Sequence, residues 1–227
     1  MQTLKRLAGL TVGALAWTAL SLTSALAASE SFEAAVLDEL NFARTQPDAY
    51  ARELRDYRDL FEGRVVHEDG DPVGVMTNEG VGAVDEAIAF LKRQAPLEPL
   101  NASRMLDQAA LGHVRDQGRR GSVGHAGSDG SSLGQRIQRQ GLWSGGVAEV
   151  ISYGKDSPAA VVRQLIIDDG VANRGHRRNI FNPGFRYAGV GCGQHRVHGA
   201  MCVIDFANGI SGRQGGSPSS GAPSPAR

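Results

Sequence analysis

The chain has 227 residues, and its 24 Lys plus Arg balance 24 Asp plus Glu, so the formal net charge at pH 7 is zero. A nucleic-acid binder would carry a basic excess or stripe, which is absent here. The length suits one domain, and neutrality itself says nothing about fold.

The first residues read as a targeting segment. Lys5 and Arg6 precede an apolar run from Leu7 to Leu22, then Ala25-Leu26-Ala27, a small-x-small cleavage signature. That run falls short of a membrane span of about 20 residues. A secretory signal over residues 1–27 is expected, with cleavage near Ala27 and no transmembrane anchor afterwards. Ala28 rather than cysteine follows, so no lipid anchor is expected, and the product is secreted or periplasmic. Residues 28–210 then read as a single domain. Residues 211–227, rich in Gly, Ser and Pro, cannot bury enough surface to offset ordering and read as a disordered tail.

Within the domain, "SFEAAVLDELNFARTQ" sets Val36, Leu37, Leu40 and Ala43 on one helical face, with polar Asn41 and Arg44 beside it. Pro47 suits the first turn of a second helix, "PDAYARELRDY". "FEGRVVHEDGDPVGVMTNEG" lacks helical period and reads as a loop or small hairpin. "VGAVDEAIAFLKRQ" aligns Val81, Val84, Ile88 and Leu91, and "APLEPL" ends it. "SRMLDQAALGHVRDQGRRG" is amphipathic, and His113 shares its apolar face, as a hydrogen-bonded core residue commonly does. "SSLGQRIQRQG" is a short helix with Ser132 as cap, Gln135 at the capping-box position and Gly141 at its end. "VAEVISYG" is strand-like, and "SPAAVVRQLIIDD" is a helix opened by Pro158. The turn "NPGF" leads to two β-prone runs. Helices come first and strands gather late, which predicts an α+β sandwich rather than a doubly wound parallel sheet.

Those two runs, "YAGVGCG" and "AMCVIDFA", hold both cysteines of the chain. A hairpin centred on Val197 sets Cys192 opposite Cys202, Val190 opposite Ile204 and Ala188 opposite Phe206. Opposed β-carbons lie about 4.5–5.5 Å apart, close enough to bridge after modest adjustment. In an exported chain a disulfide is expected, with two buried thiols as the alternative.

Catalytic signatures are sparse. HExxH, CxxC and a P-loop are missing, and "GSSLG" (residues 130–134) matches GxSxG without the preceding strand that a nucleophile elbow needs. A scattered set remains: His125 in a polar loop, Glu149 in a strand, Asp168 at a helix end and His176 in "NRGHRRNIFNP". Each alone has a plain reading as a solvated or helix-end residue. Together, two imidazoles and two carboxylates are the donor types of a divalent-metal site such as zinc or magnesium, completed by water.

"ELNFARTQPDAYA", "VGHAGSDGSSLGQRI", "VAEVISYG", "RGHRRNIFNPGFRYAGVGCG" and "MCVIDFANG" occur in the order seen in the CAP superfamily of cysteine-rich secretory, antigen 5 and pathogenesis-related proteins. The chain resembles the bacterial secreted branch, over roughly residues 31–57 and 96–209. The resemblance implies a three-layer α-β-α sandwich with a central, mainly antiparallel sheet and a surface cleft. It places the cleft residues at His125, Glu149, Asp168 and His176, with Asp169 as a rival for the second acidic position. Ala148 and Val150 flank Glu149 where the family has glycine and asparagine, and Leu165 stands where it has tryptophan. Residues 59–95 lie outside the common pattern and would cover the cleft, line it or decorate the sandwich. In "NRGHRRNIFNP", Gly175 is expected to give the sharp turn. Arg177 and Arg178 are expected to point outward or pair with Asp168 and Asp169.

The implied function is a secreted binding module for a lipid, peptide or cell-envelope ligand. The alternatives are a metal-dependent hydrolase acting through the same cleft, with Glu149 or Asp168 as general base, and an envelope interaction protein with an inert cleft. The assembly state is not legible in the sequence.

Overall fold

A computed structural model describes residues 32–211 apart from residue 69. The expected leader lies outside the described residues, as does the expected tail except Ser211, which ends the last strand. Among the described residues no helix is long and apolar enough to cross a membrane.

Residues 32–45 form helix α1, and its stripe of Val36, Leu40 and Ala43 is fully buried. The polar residues beside that stripe have their own task. Asn41 accepts from the Leu100 amide at 2.7 Å and donates to the Leu100 carbonyl at 3.1 Å. Arg44, also buried, donates to the carbonyls of Glu98, Ile180 and Asn182. Buried backbone groups must be paired, so these two side chains pin segments that apolar contacts alone would leave unsatisfied.

Helix α2 (Pro47–Arg58) opens with Pro47 in its first turn and buries Tyr50, Ala51 and Leu54. The next stretch is more ordered than a single hairpin. Strands β1 (Phe61–Glu62), β2 (Val65–Val66) and β3 (Val75–Met76) form a small antiparallel sheet with Phe61 opposite Val66 and Val65 opposite Met76. Helix α3 (Val81–Leu91) follows, burying Val84, Ile88 and Leu91 as their spacing predicts.

Strand β4 (Asn101–Ala102) leads into helix α4 (Arg104–Arg120), capped by Ser103 and closed by Gly121 at φ 72°. Helix α5 (Leu133–Gln140) carries the full capping box of Ser132 and Gln135, worth about 1 kcal/mol. Strand β5 (Leu142–Tyr153), helix α6 (Pro158–Ile167), helix α7 (Gly175–Ile180), strand β6 (Tyr187–His195) and strand β7 (Gly199–Ser211) complete the chain. The main sheet has the order β4-β6-β7-β5, with β4 parallel to β6 and the other pairs antiparallel. The expected α+β sandwich and mainly antiparallel sheet are therefore present.

The β6–β7 hairpin has the predicted register, and Cys192 and Cys202 are joined in a disulfide. Strand alternation sends Ala188, Val190, Ile204 and Phe206 into a large core with α1, α2, α3, α6 and α7. The opposite face carries Met201, Val203 and Ala207 toward α4. Here α4 rests directly on the β6 backbone. A β-carbon at Gly189 would lie 2.2 Å from the Asp107 nitrogen, and one at Gly191 would lie 2.4 Å from the Leu111 nitrogen. The alternation Gly189-Val190-Gly191 thus gives one face to the helix and the other to the large core.

The core under α4 is divided. Val114, Ile151, Met201 and Val203 form one apolar cluster, and Leu106, Ala109, Ile137 and Ala207 form another. Between them on β5 and β7 stand Glu149 and Asp205, direct partners in the strand register and both buried.

Candidate functional site

The first histidine–acid pair forms where α6 ends. Asp168 occupies the left-handed region at φ 59°, a conformation that Asp tolerates better than most residues because its short polar side chain bonds locally. Its Oδ2 accepts from the His176 amide at 2.9 Å, and its Oδ1 meets His176 Nδ1 at 2.6 Å. The amide is one of those that the first turn of α7 leaves unpaired, so one carboxylate both caps the turn and holds the ring. Asp168 is shorter than glutamate by one methylene, yet it reaches the ring.

Three expectations for this loop need correction. The turn before His176 is made by Arg174, at φ 48°, and not by Gly175, which already belongs to α7. Arg177 is buried and pairs with neither Asp168 nor Asp169; it donates to the carbonyls of Ile166 and Ile167 and to Glu86. Asp169 is no rival for the ring. Its carboxylate accepts from the amides of Asn78 and Glu79 at 2.7 and 2.8 Å. Glu79 returns the contact by accepting from the Gly170 amide and from Arg174, whose guanidinium also reaches Glu86. Hydrogen bonds from Arg174 and Gly170 hold the Glu79 carboxyl down at about 2.

That clamp fixes residues 77–80 against the His176 loop, and the inserted segment thereby becomes a wall. A cavity of about 360 Å³ is lined by Phe61, Val75, Met76 and Val84 from the insert, with Ile151 and Tyr153 from β5 and Leu165 from α6. Asp168, Asp169, His176, Lys155 and Arg163 supply its ionisable groups. Of the three roles open to residues 59–95, lining the cleft is the one observed.

The second pair stands beside this cavity. His125 Nδ1 lies 2.8 Å from Glu149 Oε1, and the His125 ring is 57% exposed while the carboxylate is 2% exposed. Arg136, on α5, donates to Glu149 Oε2 at 2.6 Å and to the carbonyls of His125 and Ser131. Burial pushes the Glu149 carboxyl up, but the His125 hydrogen bond and the Arg136 charge outweigh it and hold the group below the usual range. Glu149, Ile151 and Tyr153 alternate along one face of β5. The Tyr153 hydroxyl accepts from the Gly124 amide at 3.0 Å and donates to Gln117 at 3.0 Å, linking the cavity wall to the loop of His125.

The structure thus joins His125 to Glu149 and His176 to Asp168, and only the His176–Asp168 pair lines the cavity. Among the described residues no group of three or more His, Cys, Asp and Glu side chains is placed to hold a metal ion. A zinc or magnesium site built from all four residues does not fit. Glu149 is engaged by His125 and Arg136, and Asp168 by His176, so each carboxylate orients a ring instead of sharing a metal shell.

Two residues of this region escape sequence reasoning: Arg136 and Asp205. Asp205 had a readable signal, since period-two alternation through Met201, Val203 and Ala207 turns it inward. His113 meets the core expectation, with Nε2 donating to the Gly124 carbonyl at 3.0 Å, and its burial lowers its proton affinity.

Weakly similar solved structures include an outer surface protein from Borrelia burgdorferi (17% identity, TM-score 0.43), covering 50% of this chain and 80% of that one. An extracellular protein containing an SCP domain from Bacillus anthracis (20% identity, TM-score 0.38) shares 56% of this chain and 38% of its own. A cysteine-rich secretory protein from Staphylococcus aureus (14% identity, TM-score 0.37) shares 56% and 37%. This chain therefore spans well under half of the latter two. No curated protein matches the sequence. The model of the cysteine-rich secretory protein family, CAP, matches residues 37–206, three-quarters of the sequence, and the chain belongs to that family.

Proposed function

We propose that the protein is an exported binding module that holds a small amphiphile, such as a lipid-like, peptide or cell-envelope fragment, in the cavity beside His176. The carrying observation is the composition of that cavity. Its volume of about 360 Å³ falls within the range of small-molecule sites, its walls are more apolar than polar, and its ionisable lining residues include Asp168, His176, Lys155 and Arg163. Export is supported by the apolar leader with its small-x-small end and by the Cys192–Cys202 bond.

The test uses dansyl-labelled undecanoic acid and follows its fluorescence on titration. Wild-type protein is expected to bind it saturably. Val75→Trp, at a half-exposed wall position, is expected to abolish binding with the fold intact, whereas His125→Ala leaves it unchanged. Equal binding by wild type and Val75→Trp, or no saturable binding at all, contradicts the proposal.

Hydrolysis is a second reading with one observation in its favour. A carboxylate holds Nδ1 of each ring, the orientation that leaves Nε2 as general base toward a water. Ester turnover lost in His176→Ala, with binding retained, would favour it.

A further inference from the structure

Among the described residues, only four buried side-chain polar atoms lack a partner: His113 Nδ1, Arg136 Nε and both carboxylate oxygens of Asp205. They are not scattered. All three residues surround Glu149, in the polar seam that divides the core under α4.

Asp205 is the sharpest case. It is fully buried, and no N–H or O–H group donates to either of its oxygens. Its β5 register partner is Glu149, and on β6 the opposite residue is Gly189, which brings no side chain. The charged and titratable groups facing it come from each packed element. β5 brings Glu149 and α5 brings Arg136. α4 brings His113 and, further along, Asp107, which accepts from the Val190 amide at 2.9 Å. The loop before α5 brings His125, on the far side of Glu149.

A charge count decides the protonation. Among the described residues the only cation inside this seam is Arg136; its two terminal nitrogens are taken by Glu149 and two carbonyls, and its Nε reaches no acceptor, Asp205 included. His113 is neutral, because its Nε2–H donates to a carbonyl and burial disfavours a second proton. If Asp205 were ionised, two buried carboxylates would share one guanidinium, and one of them would accept nothing. Isolated buried charges cost far more than neutralisation by a proton. Two carboxyl groups in contact also attract each other only when one carries a hydrogen.

We propose that Asp205 is a neutral acid that donates its hydrogen to Glu149, so that the pair at the surface is a three-residue chain running from His125 through Glu149 to Asp205. Burial and the Glu149 charge both push the Asp205 carboxyl well above the ordinary range, in agreement with this assignment. Glu149 then receives hydrogens from His125, Arg136 and Asp205 and stays anionic. His125 keeps its hydrogen on Nδ1 and presents Nε2 to solvent. Asp205 is a positioning residue, since it acts on His125 through Glu149.

Carbon-13 NMR of the carboxyl carbons in the wild-type protein tests this, with Asp205 assigned through bonds from its own backbone. Asp205 is expected to show the shift of a neutral acid at neutral pH, while Glu149 shows that of a carboxylate. An Asp205 carbon at the ionised shift at neutral pH overturns the proposal. A second readout is the pH profile of stability. The folded state binds the Asp205 proton more tightly than the unfolded chain does, so stability falls as pH rises above the unfolded value of about 3.9. Asp205→Asn keeps a donor for Glu149 and is expected to remove that fall; an unchanged profile in the folded variant counts against the proposal. If Asp205→Asn does not fold, the wild-type carboxyl shifts decide alone.

Discussion

The two histidine–acid pairs do the same thing by different means. His176 is held by a carboxylate whose position comes from backbone conformation, a left-handed residue ending α6 and a short helix starting seven residues later. His125 is held by a carboxylate whose position comes from side-chain charge, with Arg136 crossing from α5 to a buried strand residue. The first faces an apolar-walled cavity and the second faces solvent. A backbone-held ring tolerates changes nearby as long as the turn survives. A charge-held ring fails when its cation is removed, and the core beneath it fails too.

That contrast ranks the effects of substitution. Arg136→Met is expected to be the most damaging, because it strips the cation from a buried carboxylate and costs about 3–5 kcal/mol in urea denaturation. A loss below about 1 kcal/mol would show that the seam is not charge-held. Asp168→Ala removes two hydrogen bonds and leaves a β-carbon in the left-handed region without local compensation, for a loss of about 2–4 kcal/mol. Asp168→Asn should lose less, since asparagine also tolerates that conformation. Nitrogen-15 NMR should nevertheless show His176 leaving its fixed tautomer. Equal losses in the two variants would contradict the backbone explanation.

The clamp between the insert and the His176 loop should matter least for stability. Glu79 remains partly in water, so Glu79→Gln is expected to cost no more than about 1 kcal/mol, and less at high salt. The sign of its pH dependence follows from its depressed carboxyl. The contribution is complete at neutral pH and fades as pH falls from about 4.3, the unfolded value, through about 2. Hydrogen exchange at the Gly170 amide, which donates to Glu79, corrected for intrinsic rates, should therefore accelerate in acid in wild type and lose most of that acceleration in Glu79→Gln. Acid-independent exchange in wild type would remove the clamp from the account.

Much of the fold was legible because its signals are local. Apolar period gave α1 and α3, Pro47 and Pro158 marked helix starts, and the cysteine spacing gave the hairpin register. Beyond a small hairpin among residues 61–80, the two-residue strands β1–β4 were not legible, since strands that short carry no period and form only when partners are in place. At the site, residue types and motif order brought out His125, Glu149, Asp168 and His176, but not which acid serves which ring. Arg177 shows why. A cation next to a histidine in sequence looks like its electrostatic neighbour, yet the helical turn carries it inward to the carbonyls ending α6. Arg136 meets Glu149 from a helix and Asp205 meets it from the neighbouring strand, contacts that no spacing along the chain records.

The central claim, that the cavity walled by the insert is where ligand binds, is tested most directly by amide chemical-shift mapping of nitrogen-15-labelled protein titrated with decanoic acid. The account predicts saturable shifts confined to residues 57–61, 75–84, 151–155, 160–171 and 176. Shifts centred instead on His125 and α5, or none at saturating probe, would contradict it.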